Sequence, residues 1–175
     1  LQPTTLQRAK RGDMEAYALI YQHYARSCYT LALRMLGDRA AAEDVVQDVF
    51  LKVMDTIGSF RGDAPFGAWL KRMTSNATID VIRRNRRFST EAIDAVLADR
   101  ATQEADQESS TEAWALLTRL SPRARSVLVL HQVEGYTHKE LGELFGQSES
   151  YSKSILARTL KRLHSFTHTS PQDES

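Results

Sequence analysis

The sequence predicts an all-α protein that folds as two small helical domains joined by a flexible acidic linker. Apolar residues recur at intervals of three and four along most of the chain, which is the period of an amphipathic helix. Capping residues and glycines stand where these apolar runs begin and end. Residues 89–110 are rich in small and acidic residues and hold few large apolar side chains, so they are expected to separate two folded units.

Composition limits the classes of protein that the sequence can encode. The chain has 175 residues, of which 42% are hydrophobic, which is enough for packed cores. A single cysteine, Cys28, excludes an intrachain disulfide and a paired-thiolate zinc site. Residues 1–13 show no secretory signal, and no run approaches the roughly 18–20 apolar residues of a membrane span. We therefore expect a cytoplasmic protein without membrane insertion.

The first domain is expected to cover residues 1–88 and to contain three long helices. Asp13 and Asp38 can cap the first two helices, and Gly37 and Gly58 can end them. The third helix follows a loop with two glycines and a proline. The residues predicted to face the core are spaced at helical intervals: Met14, Tyr17, Ile20, Tyr21, Tyr24, Cys28, Leu31 and Met35, then Ala42, Val45, Val46, Val49, Phe50, Val53, Met54 and Ile57, then Phe66, Trp69, Leu70, Met73, Ala77 and Ile82.

The second domain is expected to cover residues 111–166, followed by a tail over residues 167–175. After a short amphipathic helix, Ser121-Pro122 provides a cap followed by proline at the first helical position. The segment Thr137–Glu140 has the spacing of a capping box. A last helix is predicted from about Glu149 to Phe166. Two helices joined by a tight glycine turn indicate a helix-turn-helix.

Charge is segregated along the chain, although the formal net charge is only +1. Residues 61–88 carry seven basic and two acidic residues, and residues 113–163 carry eight basic and four acidic residues. Between them, residues 89–112 carry seven acidic residues and one basic residue. Two basic segments favour a polyanionic partner, because each Lys or Arg that meets a phosphate releases counterions. Solvated helix faces are the alternative interpretation.

No pattern in the sequence predicts catalysis, a metal site or a cofactor. The sequence has no Gly-rich phosphate loop, no GxSxG turn and no HExxH motif. His164 and His168 are one helical turn apart, but no third ligand accompanies them, so solvated histidines are expected. We expect no catalytic residue and no cofactor.

The third helix and the loop before it carry residues suited to a nucleic acid. One polar face of the helix holds Asn76, Asp80, Arg83, Arg84 and Arg87. Asparagine can bond base edges, and arginine can bind phosphates or stack on a base. The loop residues suited to receiving an extruded base are Phe60, Arg61 and Asp63. The alternative is a solvated face with an ion pair between Asp80 and Arg84.

The second helix carries an acidic exposed side. Asp44, Gln47, Asp48 and Lys52 lie there, beside the aromatic Phe50. Acidic groups around an aromatic anchor can form a docking surface for a basic helical partner. An ordinary surface is the alternative.

Several motifs together resemble the extracytoplasmic-function (ECF) class of bacterial sigma factors. They are Glu43–Val53, Gly58–Asp63, Trp69-Leu70, Asn76 and Asp80 with the arginines that follow, Leu120–Arg123, and Glu134–Thr137. The match covers roughly residues 5–165, in the family's order and spacing. The resemblance implies an N-terminal sigma-2 domain and a C-terminal sigma-4 domain that direct RNA polymerase core to promoter DNA.

The resemblance also implies a role for each candidate site residue. Those that fall on the stretch that binds the β′ clamp helices of the polymerase are Asp44, Gln47, Asp48 and Phe50. Those that fall on the loop and helix that capture, melt and hold the −10 element are Phe60, Arg61, Asp63, Phe66, Trp69, Asn76, Asp80, Arg83, Arg84 and Arg87. Those that fall on the helix that enters the −35 major groove are Tyr151, Lys153, Ser154 and Arg158. The β flap and an anti-sigma factor, which is common in the family, are further expected partners.

The last helix departs from the family pattern at the residues Gln147, Ser150-Tyr151-Ser152 and Ile155. Ser152 removes an apolar anchor, and Tyr151 adds a bulky group that could contact DNA or cover the missing anchor. The family's −35 sequence preference therefore cannot be transferred to this chain.

Two other functions remain open at this point. A helix-turn-helix regulator that binds duplex DNA as a dimer would account for residues 113–163, but it gives no purpose to Phe60, Asn76 or the acidic face. The second alternative function is that of a scaffold or adaptor bundle that does not bind DNA.

Overall fold

The computed structural model of the protein describes residues 1–87 and 112–168, and in these ranges all regular secondary structure is helical. The predicted acidic linker, residues 89–110, lies outside the described residues. The chain divides into two compact units, Leu1–Val81 and Ile82–Ser175. The all-α, two-unit fold that the sequence predicted is thereby confirmed. The predicted boundaries at residues 88, 110 and 166 stay predictions.

Four α-helices and a short 3₁₀ turn build the described residues up to 87. The helices are α1 (Pro3–Lys10), α2 (Met14–Leu36), α3 (Arg39–Thr56) and α4 (Phe66–Arg87), and the 3₁₀ turn is Ile57–Ser59. The predicted caps are confirmed: the Asp13 carboxylate accepts from two backbone N–H groups, the Asp38 carboxylate accepts from one, and α2 ends at a left-handed Gly37. The sequence-based prediction missed α1. Only two of its side chains are buried, Thr5 and Ala9, and these lie one helical turn apart.

The buried face of α4 matches the prediction only in part: Phe66, Leu70 and Ile82 are buried as predicted. Trp69, Met73 and Ala77 are only half-buried. Three small hydroxyl residues on this helix are buried instead: Thr74, Ser75 and Thr78. The Thr74 hydroxyl donates to the Leu70 carbonyl at 3.0 Å, and the Thr78 hydroxyl donates to the Thr74 carbonyl at 2.8 Å. A hydroxyl bonded within its own helix can be buried without an unmet hydrogen bond, which is why a count of apolar residues overlooks this face.

Three residues predicted to face the core are exposed, namely Met14, Tyr21 and Met54. They lie at the edges of the apolar stripes on α2 and α3, where the helical period alone cannot decide between core and surface. The centre of each stripe is buried as predicted, for example Ile20, Met35, Val45 and Val53.

Four further helices build the described residues from 112 to 168. They are α5 (Glu112–Thr118), α6 (Pro122–Leu128), α7 (His138–Phe145) and α8 (Glu149–His168), and α6 continues into a π-helical turn over Val129–Val133. Ser121 caps α6, and the predicted capping box at Thr137 and Glu140 is present. The core of this unit includes Leu120, Val127, Leu130, Leu141, Phe145 and Ile155. Val133, the last residue of the π-helical turn, is exposed.

Among the helices that the structure describes, none combines the length and apolar character needed to cross a bilayer.

Candidate nucleic-acid interface

An aromatic cluster forms where the 3₁₀ turn meets the start of α4. The ring centroid of Phe60 lies 5.3 Å from that of Phe66, in edge-to-face geometry, and 5.3 Å from that of Trp69. Phe66 in turn lies 5.3 Å from Trp69 and 5.6 Å from Tyr24. Phe66 is buried, whereas Phe60 and Trp69 are half-buried. Phe66 therefore supports the cluster from within, while Phe60 and Trp69 present aromatic surface on which a base can stack.

The loop after Phe60 is exposed and leaves the cluster open on that side. Arg61 and Asp63 are both exposed, and between them Gly62 has a φ of 83°, which favours glycine. The base of the loop is fixed, because the Phe60 N–H donates to the Ile57 carbonyl at 3.1 Å. The sequence-predicted loop residues thus lie beside the aromatic cluster, with polar groups at the rim.

The polar face predicted on α4 is present. Asn76, Asp80 and Arg84 are exposed and Arg83 is half-buried, on the side of the helix opposite Thr74 and Thr78. The side chain of Arg87 lies outside the part of the chain that the structure describes. This face continues the surface that begins at Trp69, so α4 can present stacking, hydrogen-bonding and cationic groups along one line.

On α3, the acidic side is exposed but the predicted aromatic anchor is not. Asp44, Gln47 and Asp48 are exposed, whereas Phe50 is only 3% exposed. Its ring lies 4.8 Å from the ring of Tyr21, and its carbonyl accepts a hydrogen bond from the Tyr17 hydroxyl. Phe50 therefore packs α3 on α2, as its place in the apolar stripe predicted. Its assignment to the docking surface stays a prediction.

Two exposed apolar side chains lie near the acidic residues of α3. Leu51 is 62% exposed and Met54 is 43% exposed, and they follow Asp48 by three and six residues, which places them on the same side of the helix. Exposed apolar groups next to carboxylates combine the anchor and the charge that a helical partner would need. In the sequence, Leu51 next to Phe50 was the sign of an exposed apolar residue here. The helical period alone does not decide whether such a residue at the edge of the apolar stripe is buried.

Helices α7 and α8 form the predicted helix-turn-helix. Gly146 ends α7 with a φ of 62°, in the left-handed region. A Cβ atom on the buried Gly142 would lie 2.8 Å from the Gln147 carbonyl oxygen and 3.1 Å from the Glu149 nitrogen. The turn thus passes directly over the backbone of α7, and only a residue without a side chain allows this distance.

The outer face of α8 carries the predicted recognition residues. Lys153, Ser154 and Arg158 are exposed. The Lys153 ammonium is 2.7 Å from the Glu149 carboxylate, and the Arg158 Nε donates to the Ser154 carbonyl at 3.4 Å. The Lys153 charge is therefore partly compensated by its own helix. Exposed Lys, Ser and Arg side chains are groups that can bond base edges and phosphates.

Tyr151 is held by a buried arginine. The guanidinium of Arg123 donates to the Tyr151 hydroxyl at 2.5 Å, and it lies 5.4 Å from the Tyr151 ring centroid and 5.5 Å from that of Phe145. Arg123 is only 8% exposed. Between the two alternatives for Tyr151, the structure favours a packing role, because the ring is half-buried and its hydroxyl is engaged.

Ser152 is buried and bonded to a histidine that the sequence did not single out as a partner. Its hydroxyl lies 3.0 Å from Nδ1 of His138, whose ring stacks on that of His131 at 4.2 Å between centroids. Burial, then the neighbouring His131 and Lys153, lower the pKa of His138. The missing apolar anchor is thus replaced by a polar contact between α7 and α8, and the spacing of 14 residues gave no local signal for it.

Comparisons with known proteins identify the family. Sigma-70 region 2 matches residues 20–88, and Sigma-70, region 4 matches residues 110–163. The chain is 30% identical over 155 residues to the ECF RNA polymerase sigma factor SigW of Bacillus subtilis (strain 168), covering 79% of this chain and 82% of SigW. The protein belongs to the ECF family of sigma factors. The resemblance read from the sequence motifs is confirmed.

This ECF sigma factor matches a smaller share of two other relatives. It is 30% identical to SigE of Mycolicibacterium smegmatis and 27% identical to BldN of Streptomyces coelicolor. The matches cover 89% and 90% of this chain, but only 63% of SigE and 62% of BldN.

Two solved structures show the same fold as this ECF sigma factor. The sigma factor RpoE, in complex with the anti-sigma factor NepR from Bartonella quintana, matches with a TM-score of 0.58 and 19% identity, over 89% of this chain and 98% of that chain. CnrH, in complex with the cytosolic domain of CnrY, matches with a TM-score of 0.56 and 20% identity, over 96% of this chain and 97% of that chain.

Proposed function

We propose that this chain directs RNA polymerase core to promoters and starts transcription by capturing one strand of the −10 element while it binds the −35 element as duplex. The observation that carries the proposal is the half-buried aromatic pair Phe60 and Trp69, at the start of a helix with a polar and cationic face. Stacking on such rings contributes roughly 1–3 kcal/mol per base and does not require a paired strand.

Capture of an unpaired base would drive strand separation without a chemical step. Extruding a base from a duplex costs a few kcal/mol, and stacking on Phe60 or Trp69, hydrogen bonds from Asn76 and phosphate contacts from Arg84 can offset that cost. Asn76 and Arg84 are exposed on the α4 face that begins at Trp69. We therefore propose action by binding rather than by catalysis, with no cofactor.

The second unit would position the holoenzyme on the −35 element. Lys153, Ser154 and Arg158 are exposed on α8, whose backbone is fixed against α7 by the turn over Gly142. Arginine can bond two acceptors on a guanine edge in the major groove, whereas a lysine that is paired with Glu149 contributes mainly charge. We assign Arg158 the larger part in sequence reading and Tyr151 a supporting part.

Docking on the polymerase is proposed for the acidic side of α3. Asp44, Gln47 and Asp48 are exposed there beside Leu51 and Met54, which suits a basic, amphipathic partner such as the β′ clamp helices. The β flap is the proposed partner of the second unit. An anti-sigma factor is a further proposed partner, since the solved relatives RpoE and CnrH are described in complexes and RpoE's partner is an anti-sigma factor.

Run-off transcription tests the proposal directly. Purified core enzyme is combined with this chain on genomic fragments, and the start sites found are then probed for unpaired bases with a single-strand-specific reagent. We expect transcripts and an opened −10 region that appear only when both proteins are present. Asn76→Ala is expected to reduce opening much more than core association, because Asn76 is exposed on the proposed strand-binding face.

Three results would contradict the proposal. The chain could fail to associate with core, it could associate without opening any template, or Asn76→Ala could reduce association and opening equally. Tight binding to duplex DNA as a dimer without core would instead support a conventional helix-turn-helix regulator.

A further inference from the structure

Helix α1 reaches the aromatic cluster through its last residue. The Lys10 ammonium donates to the Phe60 carbonyl oxygen at 2.5 Å, across 50 residues of sequence, and lies 5.2 Å from the centroid of the Phe60 ring. Lys10 is half-buried, whereas its neighbours Arg8 and Arg11 are exposed. One side chain therefore contacts both the backbone and the ring of the residue that begins the loop.

The end of α1 is itself held in place. Arg8 Nε lies 2.7 Å from the Asp13 carboxylate, which also caps α2, and the Asp13 N–H donates to the Arg8 carbonyl at 3.2 Å. The Gly12 N–H donates to the Ala9 carbonyl at 2.9 Å. These contacts fix the direction in which Lys10 leaves the helix. A tethered cation loses less freedom on binding a carbonyl than a free one, so the contact with Phe60 is preorganised.

A lysine is well suited to this position. The Phe60 carbonyl stands at the end of the 3₁₀ turn, where no further helical N–H follows to bond it, and the ammonium supplies that donor. The same charge is attracted to the negative face of an aromatic ring within about 6 Å. The two contacts together limit rotation of the Phe60 backbone and side chain, while the neighbouring Arg61–Asp63 segment stays exposed.

We propose that Lys10 is a positioning residue for strand capture: it holds Phe60 against Trp69 before a base arrives, so that α1 belongs to the −10 recognition apparatus. The inference rests on the proposed function for its DNA readout, but the contact can be tested in the free protein as well. In this view, the free protein already has the stacking surface formed, and the strand does not have to order it.

The first test measures binding of a labelled single-stranded −10 oligonucleotide to the holoenzyme. Lys10→Met keeps an apolar stem of similar length but removes the charge and the donor, and we expect a loss of affinity of about fivefold to tenfold. Arg11→Met is the matched control, because it removes one positive charge from the exposed residue next to it. Lys10→Arg retains a cation and N–H donors and is expected to recover most of the affinity.

The second test needs no DNA and no polymerase. In a Trp114→Phe background, Trp69 is the remaining tryptophan and lies 5.3 Å from Phe60, so its emission reports on the cluster. We expect Lys10→Met to increase quenching of Trp69 by acrylamide and to shift its emission, and Arg11→Met to leave both unchanged. Circular dichroism confirms that each variant remains folded.

The two readouts separate the inference from the proposed function. If the wild-type holoenzyme does not bind the oligonucleotide, the proposed function fails, while the Trp69 signal still tests the Lys10 contact. If wild type binds, the inference is overturned when Lys10→Met matches Arg11→Met in both affinity and fluorescence. Equal loss in Lys10→Arg and Lys10→Met would also overturn it.

Discussion

The two units of this sigma factor hold their candidate DNA-binding residues by different means. In the first unit, aromatic rings pack on one another, and the buried hydroxyls of Thr74 and Thr78 are bonded within their own helix. In the second unit, buried polar side chains bond across helices, as Arg123 does to Tyr151 and Ser152 to His138. The first surface is suited to stacking, and the second to a charged helix face of fixed direction.

This difference follows from what each unit is proposed to bind. A single strand exposes base faces, which aromatic side chains recognise with little directional demand. A duplex exposes base edges and phosphates. Hydrogen bonds to base edges are directional, so the helix that makes them must keep its position and orientation closely. Polar contacts between helices fix orientation better than apolar contacts, but they make the second unit more sensitive to proton concentration and to loss of one partner.

Phe60→Ala is expected to give the largest difference between the effects on single-strand binding and on duplex binding. Loss of one stacking surface should weaken binding of a single-stranded −10 oligonucleotide to the holoenzyme by about 1–3 kcal/mol. Duplex −35 binding should stay unchanged, because that contact is proposed for α8. Fluorescence anisotropy with both oligonucleotides measures the two affinities in parallel. A similar loss on both would show that the variant damages the fold rather than one surface.

Arg158→Ala should give the opposite result, with a loss of about 1–2 kcal/mol on −35 duplex and none on the single strand. Lys153→Ala is the matched comparison on the same helix face, and its effect should be smaller because Lys153 is already paired with Glu149 at 2.7 Å. Footprinting and titration at two salt concentrations check both variants. An unchanged −35 footprint in Arg158→Ala would remove this residue from the reading face.

The two kinds of buried hydroxyl can be compared directly. Ser152→Ala removes a contact between helices and should lower the free energy of unfolding by about 1 kcal/mol. Thr78→Val removes a hydroxyl bonded only to its own helix, so we expect a change below about 0.5 kcal/mol. Chemical denaturation of both variants measures the difference. Equal effects would contradict the expected difference between a hydroxyl that bonds across helices and one that bonds within its own helix.

The smallest effect expected is a pH dependence confined to the second unit. The pKa of His138 is lowered in the folded state, chiefly by burial and also by His131 and Lys153, against an opposing effect of Glu149. The unfolded chain therefore binds more protons. The contribution of His138 to the free energy of unfolding is fully present above about pH 6.5, and it is lost as the pH falls below that value through the lowered pKa of the folded state. Thermal denaturation at pH 7.5 and 5.5 should show a decrease that His138→Gln reduces.

Local chemistry explains what could be predicted from the sequence. Asp13, Asp38, Ser121 and the Thr137–Glu140 capping box act on backbone groups within three residues of themselves, so their roles can be read without tertiary structure. The burial of residues at the centre of each apolar stripe can likewise be predicted from the spacing of residues within one helix. These signals sufficed for the number and order of the long helices, and for most of the exposed residues of the candidate site.

Contacts between distant residues could not be predicted in the same way. The bond between Lys10 and Phe60 spans 50 residues, and the bond between His138 and Ser152 spans 14. The sequence predicted that Phe50 faces the core, but not that its contacts are with Tyr17 and Tyr21 of another helix. Each depends on which helices pack together, and periodicity within one helix carries no information about that choice.

The close approach at Gly142 restricts how this protein can change its DNA preference. Any side chain there would force the start of α8 away from α7, because the turn backbone already occupies the space. If α8 reads the promoter as proposed, new specificity is expected from replacing outward-facing side chains on an unmoved backbone, not from tilting the helix. A library that varies positions 153, 154 and 158 while retaining this glycine would test that expectation.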